Sequence, residues 1–187
     1  MIKDVNLFRA EGSVYLKRAC KKIEISKNDS CDGYLIESSE KEARRIIESL
    51  RGSGKKIGVV GGDDAFNRRV VETLKVDYLV SPEQGFKKDS LKQRDSGINH
   101  VVAKIAAGKG IVIVVDFNEV GKLKGKELAL RLSRIMQNVK VCRKAGCGLK
   151  IGSFGLNKGE VVGDVERRAF GLSLGMSSRQ DAEAVRF

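Results

Sequence analysis

Five β-branched residues stand in a row at Ile111-Val112-Ile113-Val114-Val115, and this run limits the architecture more than any other part of the chain. A strand with one solvated face alternates apolar and polar side chains. A strand that does not alternate has to be covered on both faces, which is the condition of a central strand in a parallel sheet. Shorter apolar runs recur with helical stretches between them, the pattern of successive βα units. Strands are expected near Val5–Phe8, Tyr34–Glu37, Lys56–Val60, Val76–Ser81, Ile111–Phe117 and Leu149–Ser153. Helices are expected over Ser39–Leu50, Asp64–Leu74, Asp95–Ala107 and Lys126–Arg143, with further helix from about Gly163 onward. Ser39 and Glu42 have the spacing of a capping box, and Gly52 and Gly54 close that helix. Six clear strands fit either a compact TIM-type barrel or an open doubly wound sheet. The 187 residues fall short of the roughly 250 of a full barrel. Pro82 is the only proline and no Ser/Pro-rich linker occurs, so residues 1–187 read as one domain.

The charge is lopsided. Of a net +12, residues 120–150 supply +8, nine Lys/Arg against one acid. Clustered cations gain affinity for polyanions by releasing counterions from phosphates, so a nucleic acid is the first partner to consider. Aromatic residues make up only 5% with no Trp, which argues against single-strand binding through base stacking. No apolar run of about 18 residues and no signal-like leader occurs, and a cytoplasmic protein is expected. Cys20, Cys31, Cys142 and Cys147 lack zinc-ribbon spacing and read as small buried hydrophobes.

The chain's only histidine lies in Arg94-Asp95-Ser96-Gly97-Ile98-Asn99-His100. A helix beginning at Asp95 or Ser96 buries Ile98, Val101, Val102, Ile105 and Ala106 and lines up Ser96, His100 and Lys104 on the opposite side. Its capped N-terminus, with Arg94 beside it, suits a phosphate. The preceding loop adds Lys87, Lys88 and Lys92, at the carboxyl end of a strand where parallel α/β folds carry their sites. A solvated loop before a well-capped helix is the plainer alternative. The helix Lys126–Arg143 is expected to bury Leu128, Leu132, Ile135, Met136 and Val139 and to turn Lys126, Arg134, Lys140 and Lys144 outward as a second basic face.

Gly58-Val59-Val60-Gly61-Gly62-Asp63 lacks the order of a dinucleotide or P-loop motif, and tight turns account for its glycines. Arg68 and Arg69 lie just beyond it and within reach of the same rim. Asp63, Asp64, Asp116 and Glu119 carry oxygens suited to Mg²⁺. Asp63-Asp64 also reads as a helix cap, and one His is too few for a His-rich metal cluster.

The stretch from Arg94 through His100 and on to Val101-Val102-Ala103-Lys104-Ile105-Ala106 resembles the signature of the archaeal ribonuclease P protein component 3 family, related to the eukaryotic thirty-kilodalton subunit. The order of elements agrees: a strand, a basic loop, this helix, then a very apolar strand. The resemblance covers about residues 30–180. It implies a TIM-barrel-like fold akin to the polymerase and histidinol phosphatase superfamily but without its metal-binding histidines. It also implies membership of a ribonucleoprotein that removes 5′ leaders from precursor tRNA, with the RNA supplying the active site and Mg²⁺ serving that RNA. Ribonuclease P RNA and a small partner subunit are the implied partners. Arg94 and His100 match the motif residue for residue, whereas Lys158-Gly159-Glu160-Val161-Val162-Gly163-Asp164 departs from the family's pattern.

The expected role is therefore RNA or partner binding by Arg94, His100, Lys87, Lys88, Lys92, Arg68 and Lys104, with no catalytic residue, cofactor or metal on the chain itself. Two rivals stay open: an autonomous metal-dependent phosphoesterase using the four carboxylates, and a basic assembly protein that binds no RNA.

Overall fold

A computed structural model describes residues 4–85 and 95–187. Seven strands follow one another in sequence order, each parallel to the next: β1 (Val5–Asn6), β2 (Val14–Ala19), β3 (Gly33–Ile36), β4 (Lys56–Val60), β5 (Tyr78–Val80), β6 (Val112–Asp116) and β7 (Leu149–Gly152). Around them lie α1 (Glu40–Ser49), α2 (Asp64–Thr73), α3 (His100–Lys109), α4 (Phe117–Gly121), α5 (Gly125–Ala145), α6 (Asp164–Ser173) and α7 (Ser178–Ala184).

The sheet curls until its ends meet. The Phe154 N–H donates to the Val5 carbonyl at 2.8 Å and the Leu7 N–H to the Gly155 carbonyl at 2.9 Å. Asp4 ties the seam further: its Oδ1 accepts from the Ser153 N–H at 3.0 Å and lies 3.0 Å from Nη1 of Arg167. Arg167 is 1% exposed. It also donates to the Ile151 carbonyl at 2.9 Å and pairs with Asp164 at 2.5 Å, so its buried charge is neutralised and its donors are used. The result is a nearly closed, TIM-barrel-like α/β fold of seven strands.

Each strand sends alternate side chains to two cores. Val5, Leu16, Leu35, Tyr78, Val80, Val114 and Phe154 fill the barrel, while Ile36, Val59, Leu79, Ile113, Val115 and Ile151 meet the helices. At about 1.5–3 kcal/mol per fully buried large aliphatic side chain, this double coverage dominates stability. The Ile111–Val115 run is covered on both sides as its lack of alternation requires, with only Val112 half-buried. At the amino ends of the strands the Phe187 ring meets Tyr78 edge-on at 6.1 Å, and Lys150 Nζ lies 5.2 Å from its centroid.

Sequence patterning misses β2, because Lys17 and Arg18 interrupt its apolar residues. The folded chain accommodates them by ion pairs with Asp29 at 2.8 Å and Glu37 at 3.5 Å. The capping box at α1 is half present: Ser39 Oγ accepts from the Glu42 N–H, but the Glu42 carboxylate accepts from the Lys22 N–H. The helical region after Gly163 is two helices, α6 and α7, separated at Gly175, which has φ +85°.

Candidate functional site

The segment holding the histidine is built as a junction between loops. After β5 the chain passes through Ser81, with φ 47°, into a 3-10 turn at Pro82–Gln84. It returns at Asp95, and α3 begins at His100, not at Asp95. The cap is Asn99, whose Oδ1 accepts from the Val102 N–H at 3.0 Å. Ser96 therefore precedes the helix and does not share its polar side. It is 2% exposed, its Oγ donates to the Ile98 carbonyl, and its own carbonyl accepts from Asn138 at 2.9 Å. Gly97 has φ +78°, and a Cβ there would overlap the Pro82 carbonyl; only glycine fits.

Asn67 on α2 locks this junction. Fully buried, its Nδ2 donates to the carbonyls of Gly62, Pro82 and Gly97 at 3.0–3.1 Å, and its Oδ1 accepts from the Gly62 N–H at 2.8 Å. Arg134 braces the other side. Placed on the outer face by sequence periodicity, it is instead 4% exposed and donates to the carbonyls of Glu83 and Gly85 at 3.3 and 2.7 Å. Helix α5 runs over 21 residues, close to the expected Lys126–Arg143; what its spacing does not reveal is that Arg134, midway along it, turns toward the loop after β5.

Beneath Arg134 lies Glu83, 1% exposed, with neither carboxylate oxygen hydrogen-bonded among the described residues. Burial pushes its carboxyl up to about 7, although Arg131 at 3.7 Å and Arg134 oppose the shift.

Of the expected site residues, the structure leaves His100 and Lys104 exposed on α3 and Lys126, Lys140 and Lys144 exposed on α5. The four lysines form no ion pair or side-chain hydrogen bond among the described residues. Helices α3 and α5 pack side by side. Arg68 is exposed but pairs along α2 with Glu72 at 2.7 Å, and Arg69 pairs with Glu40 at 2.5 Å. Lys87, Lys88, Lys92 and Arg94 lie outside the described residues. Two apolar expectations fail: Val101 is 57% exposed and Met136 38%, because the buried stripes run through Val102, Ala103 and Ala106 on α3 and through Ile135, Val139 and Cys142 on α5, and a residue one step away is turned about 100° aside.

Two of the four carboxylates of the metal reading are spent on helix caps. Asp63 accepts from the Phe66 N–H at 2.7 Å and Asp116 from the Glu119 N–H at 3.0 Å, while Glu119 pairs with Lys122 at 2.6 Å. Burial pushes Asp116 up to about 7. Among the described residues no three His, Cys, Asp or Glu side chains group to hold a metal ion, nor is any helix long and apolar enough to cross a membrane.

Comparison with known proteins gives this arrangement a context. The chain is 30% identical over 132 residues to ribonuclease P protein component 3 of Methanocaldococcus jannaschii, covering 71% of this chain and 54% of that protein. The chain is a relative of ribonuclease P protein component 3. The Methanosarcina acetivorans protein of that name is 26% identical over 151 residues, covering 81% of this chain and 60% of it. The chain thus spans between about half and three fifths of the length of these curated relatives. No protein-family model matches the chain. Its fold resembles a chain in the cryo-EM structure of an archaeal ribonuclease P with mature tRNA, at a TM-score of 0.72 and 23% identity, covering 93% of this chain and 83% of that one. A crystal structure of an amidohydrolase shares the barrel at a TM-score of 0.57 and 15% identity, over 83% of this chain and 41% of that one.

Proposed function

We propose that the chain is a protein subunit of archaeal-type ribonuclease P that supports the RNA which removes 5′ leaders from precursor tRNA. The observation that carries this reading is the sequence relationship to component 3 over 132 residues, with the barrel likeness in agreement. In this reading the partners are the catalytic RNA, other protein subunits including a small one, and precursor tRNA only indirectly. Mg²⁺ serves the RNA, and no catalytic group is assigned to this chain. The unpaired Lys104, Lys126, Lys140 and Lys144 lower phosphate repulsion so that RNA helices can approach one another. His100 at the exposed start of α3 adds a donor beside them. The cytoplasm is the proposed location, and four free cysteines suit its reducing conditions.

The deciding experiment is reconstitution of precursor-tRNA cleavage from ribonuclease P RNA and the remaining protein subunits, with and without this chain. Cleavage at limiting Mg²⁺ is expected to rise several-fold when the chain is added. Equal cleavage in both reactions contradicts the reading. Hydrolysis by the chain alone, lost in Asp116→Asn, points instead to the phosphoesterase alternative.

A further inference from the structure

Helix α6 has one side in the core and a second, apolar side in solvent. Gly171 and Leu174 lie inward with the buried Arg167, and the half-buried Phe170 meets the Phe117 ring edge-on at 5.1 Å. Val165, Ala169 and Leu172 fall at i, i+4 and i+7, within an arc of about 60° on the opposite side. All three are exposed, Val165 by 76% and Leu172 by 51%. Single exposed apolar side chains are ordinary on a protein surface. These are grouped: the loop leading into α6 adds Leu156 and Val161, so four of the eight large apolar side chains exposed among the described residues lie between positions 156 and 172. Glu160, next to Val161, accepts from the Leu156 N–H at 2.9 Å and holds that loop together. A helix that is apolar on both sides is normally covered on both.

Charge decides what kind of cover fits. Residues 151–187 carry five Lys/Arg and five Asp/Glu, so the whole +12 of the chain lies in residues 1–150. Both arginines of α6 are already held, Arg167 by Asp4 and Asp164 and Arg168 by Asp181 at 2.7 Å. A phosphate backbone therefore finds no free cation on this helix. Glu166, beside the stripe, is exposed and has no ion pair among the described residues, so the unmatched charge there is negative. The basic surface is close by. Helix α7 packs on α6, and its Gln180 donates to the Val139 carbonyl of α5 at 3.2 Å and accepts from Arg143 at 2.8 Å. A neutral, apolar face thus stands next to the cationic one.

We infer that the outer side of α6 seats an amphipathic helix from another protein subunit of the ribonucleoprotein, its apolar stripe on Val165, Ala169 and Leu172 and one of its Lys or Arg side chains at Glu166. The inference rests on membership of ribonuclease P, as proposed above, and gives protein a surface separate from the lysines of α3 and α5. The small Ala169 between two larger side chains leaves a notch for a side chain of the incoming helix, the way one helix packs into another.

The test mixes the purified chain in turn with each of the other purified protein subunits of an archaeal ribonuclease P, without RNA. Affinity is read by titration calorimetry and mass by sedimentation velocity. The wild type is expected to form a complex of fixed stoichiometry with one subunit. The double variant Val165→Gln/Leu172→Gln should keep its thermal unfolding, because neither side chain is in the core, and its affinity for ribonuclease P RNA. It is expected to weaken the protein complex by about thirtyfold or more, the size of an interface hot spot. Glu166→Gln is expected to weaken it a few-fold at low salt and less at high salt. A complex that the double variant forms as tightly as the wild type overturns the inference and leaves the proposed function standing. So does a chain that dimerises alone through the stripe, with the dimer lost in the double variant, and so does a double variant that loses RNA binding. If the wild type binds no subunit, the inference fails, and cleavage reconstituted with and without the chain decides whether the proposed function fails with it.

Discussion

Asn67 joins the loops after β4 and β5 to the approach of α3 with four hydrogen bonds from one buried amide. Truncation leaves three carbonyls and one N–H buried without that partner, and each such loss costs about 1–3 kcal/mol before relaxation. Asn67→Ala is therefore expected to destabilise the fold by about 2–4 kcal/mol, read as a lowered urea midpoint with an unchanged slope. A loss under about 1 kcal/mol means that water replaces the amide. Glu83 makes a pH prediction. Its folded carboxyl, pushed up to about 7, stays protonated where the unfolded one, near 4.5, has ionised. Between those values the folded state binds more protons, so stability falls as pH rises through that window and is lowest above it. Glu83→Gln removes that contribution and is expected to gain roughly 2 kcal/mol at pH 8 relative to pH 5 in paired urea melts. Asp116, shifted the same way, leaves a residual slope. Neither residue stands out in the sequence. An Asn inside an amphipathic helix and a Glu after a Pro look solvated until tertiary contacts bury them.

The elements themselves were more legible than their ends. Lack of alternation identified β6, and spacing identified α1, α2 and α5, because those signals report burial directly. Spacing starts α3 five residues too early: Asp95, Ser96 and Asn99 are all competent caps, and only the tertiary lock on Ser96 and Gly97 leaves the role to Asn99. The basic surface was half legible for the same reason. Lys104, Lys140 and Lys144 project from α3 and α5 as their spacing implies, while Arg134, on the same nominal stripe, turns inward to hold a loop. Removing the three lysines together, as Lys104→Ala, Lys140→Ala and Lys144→Ala, should leave thermal unfolding within about 1 kcal/mol of the parent, since exposed unpaired charges contribute little. Binding of duplex-rich ribonuclease P RNA should lose up to about 2.7 of its salt slope, three phosphates at about 0.9 each. An unchanged slope would place the RNA on another surface.

At the scale of the molecule, a barrel of parallel strands was readable but its closure was not. Two residues of β1 and a buried arginine on α6 carry no pattern that announces a seam. Arg167 links Asp4, Ile151 and Asp164, and Arg167→Met leaves Asp4 buried without its counter-charge. Breaking one side of a buried pair costs about 3–5 kcal/mol, and the expected result is loss of cooperative unfolding in the β1–β7 region by hydrogen exchange, with β3–β6 still protected. Uniform loss across the barrel would show that the seam and the core unfold as one.

The seam also sets an order of events during synthesis. Asp4 leaves the ribosome long before its partners Ser153 and Arg167, which follow it by roughly 150 residues or more along the chain. Strands β2 to β6 can pair with neighbours as they emerge, since each lies beside the next in sequence. The first strand instead waits, half-paired, until about 160 further residues, through Arg167, have been made. During that interval its free edge invites pairing with another nascent chain, so the interval before Arg167 appears is the time of greatest exposure to misassembly.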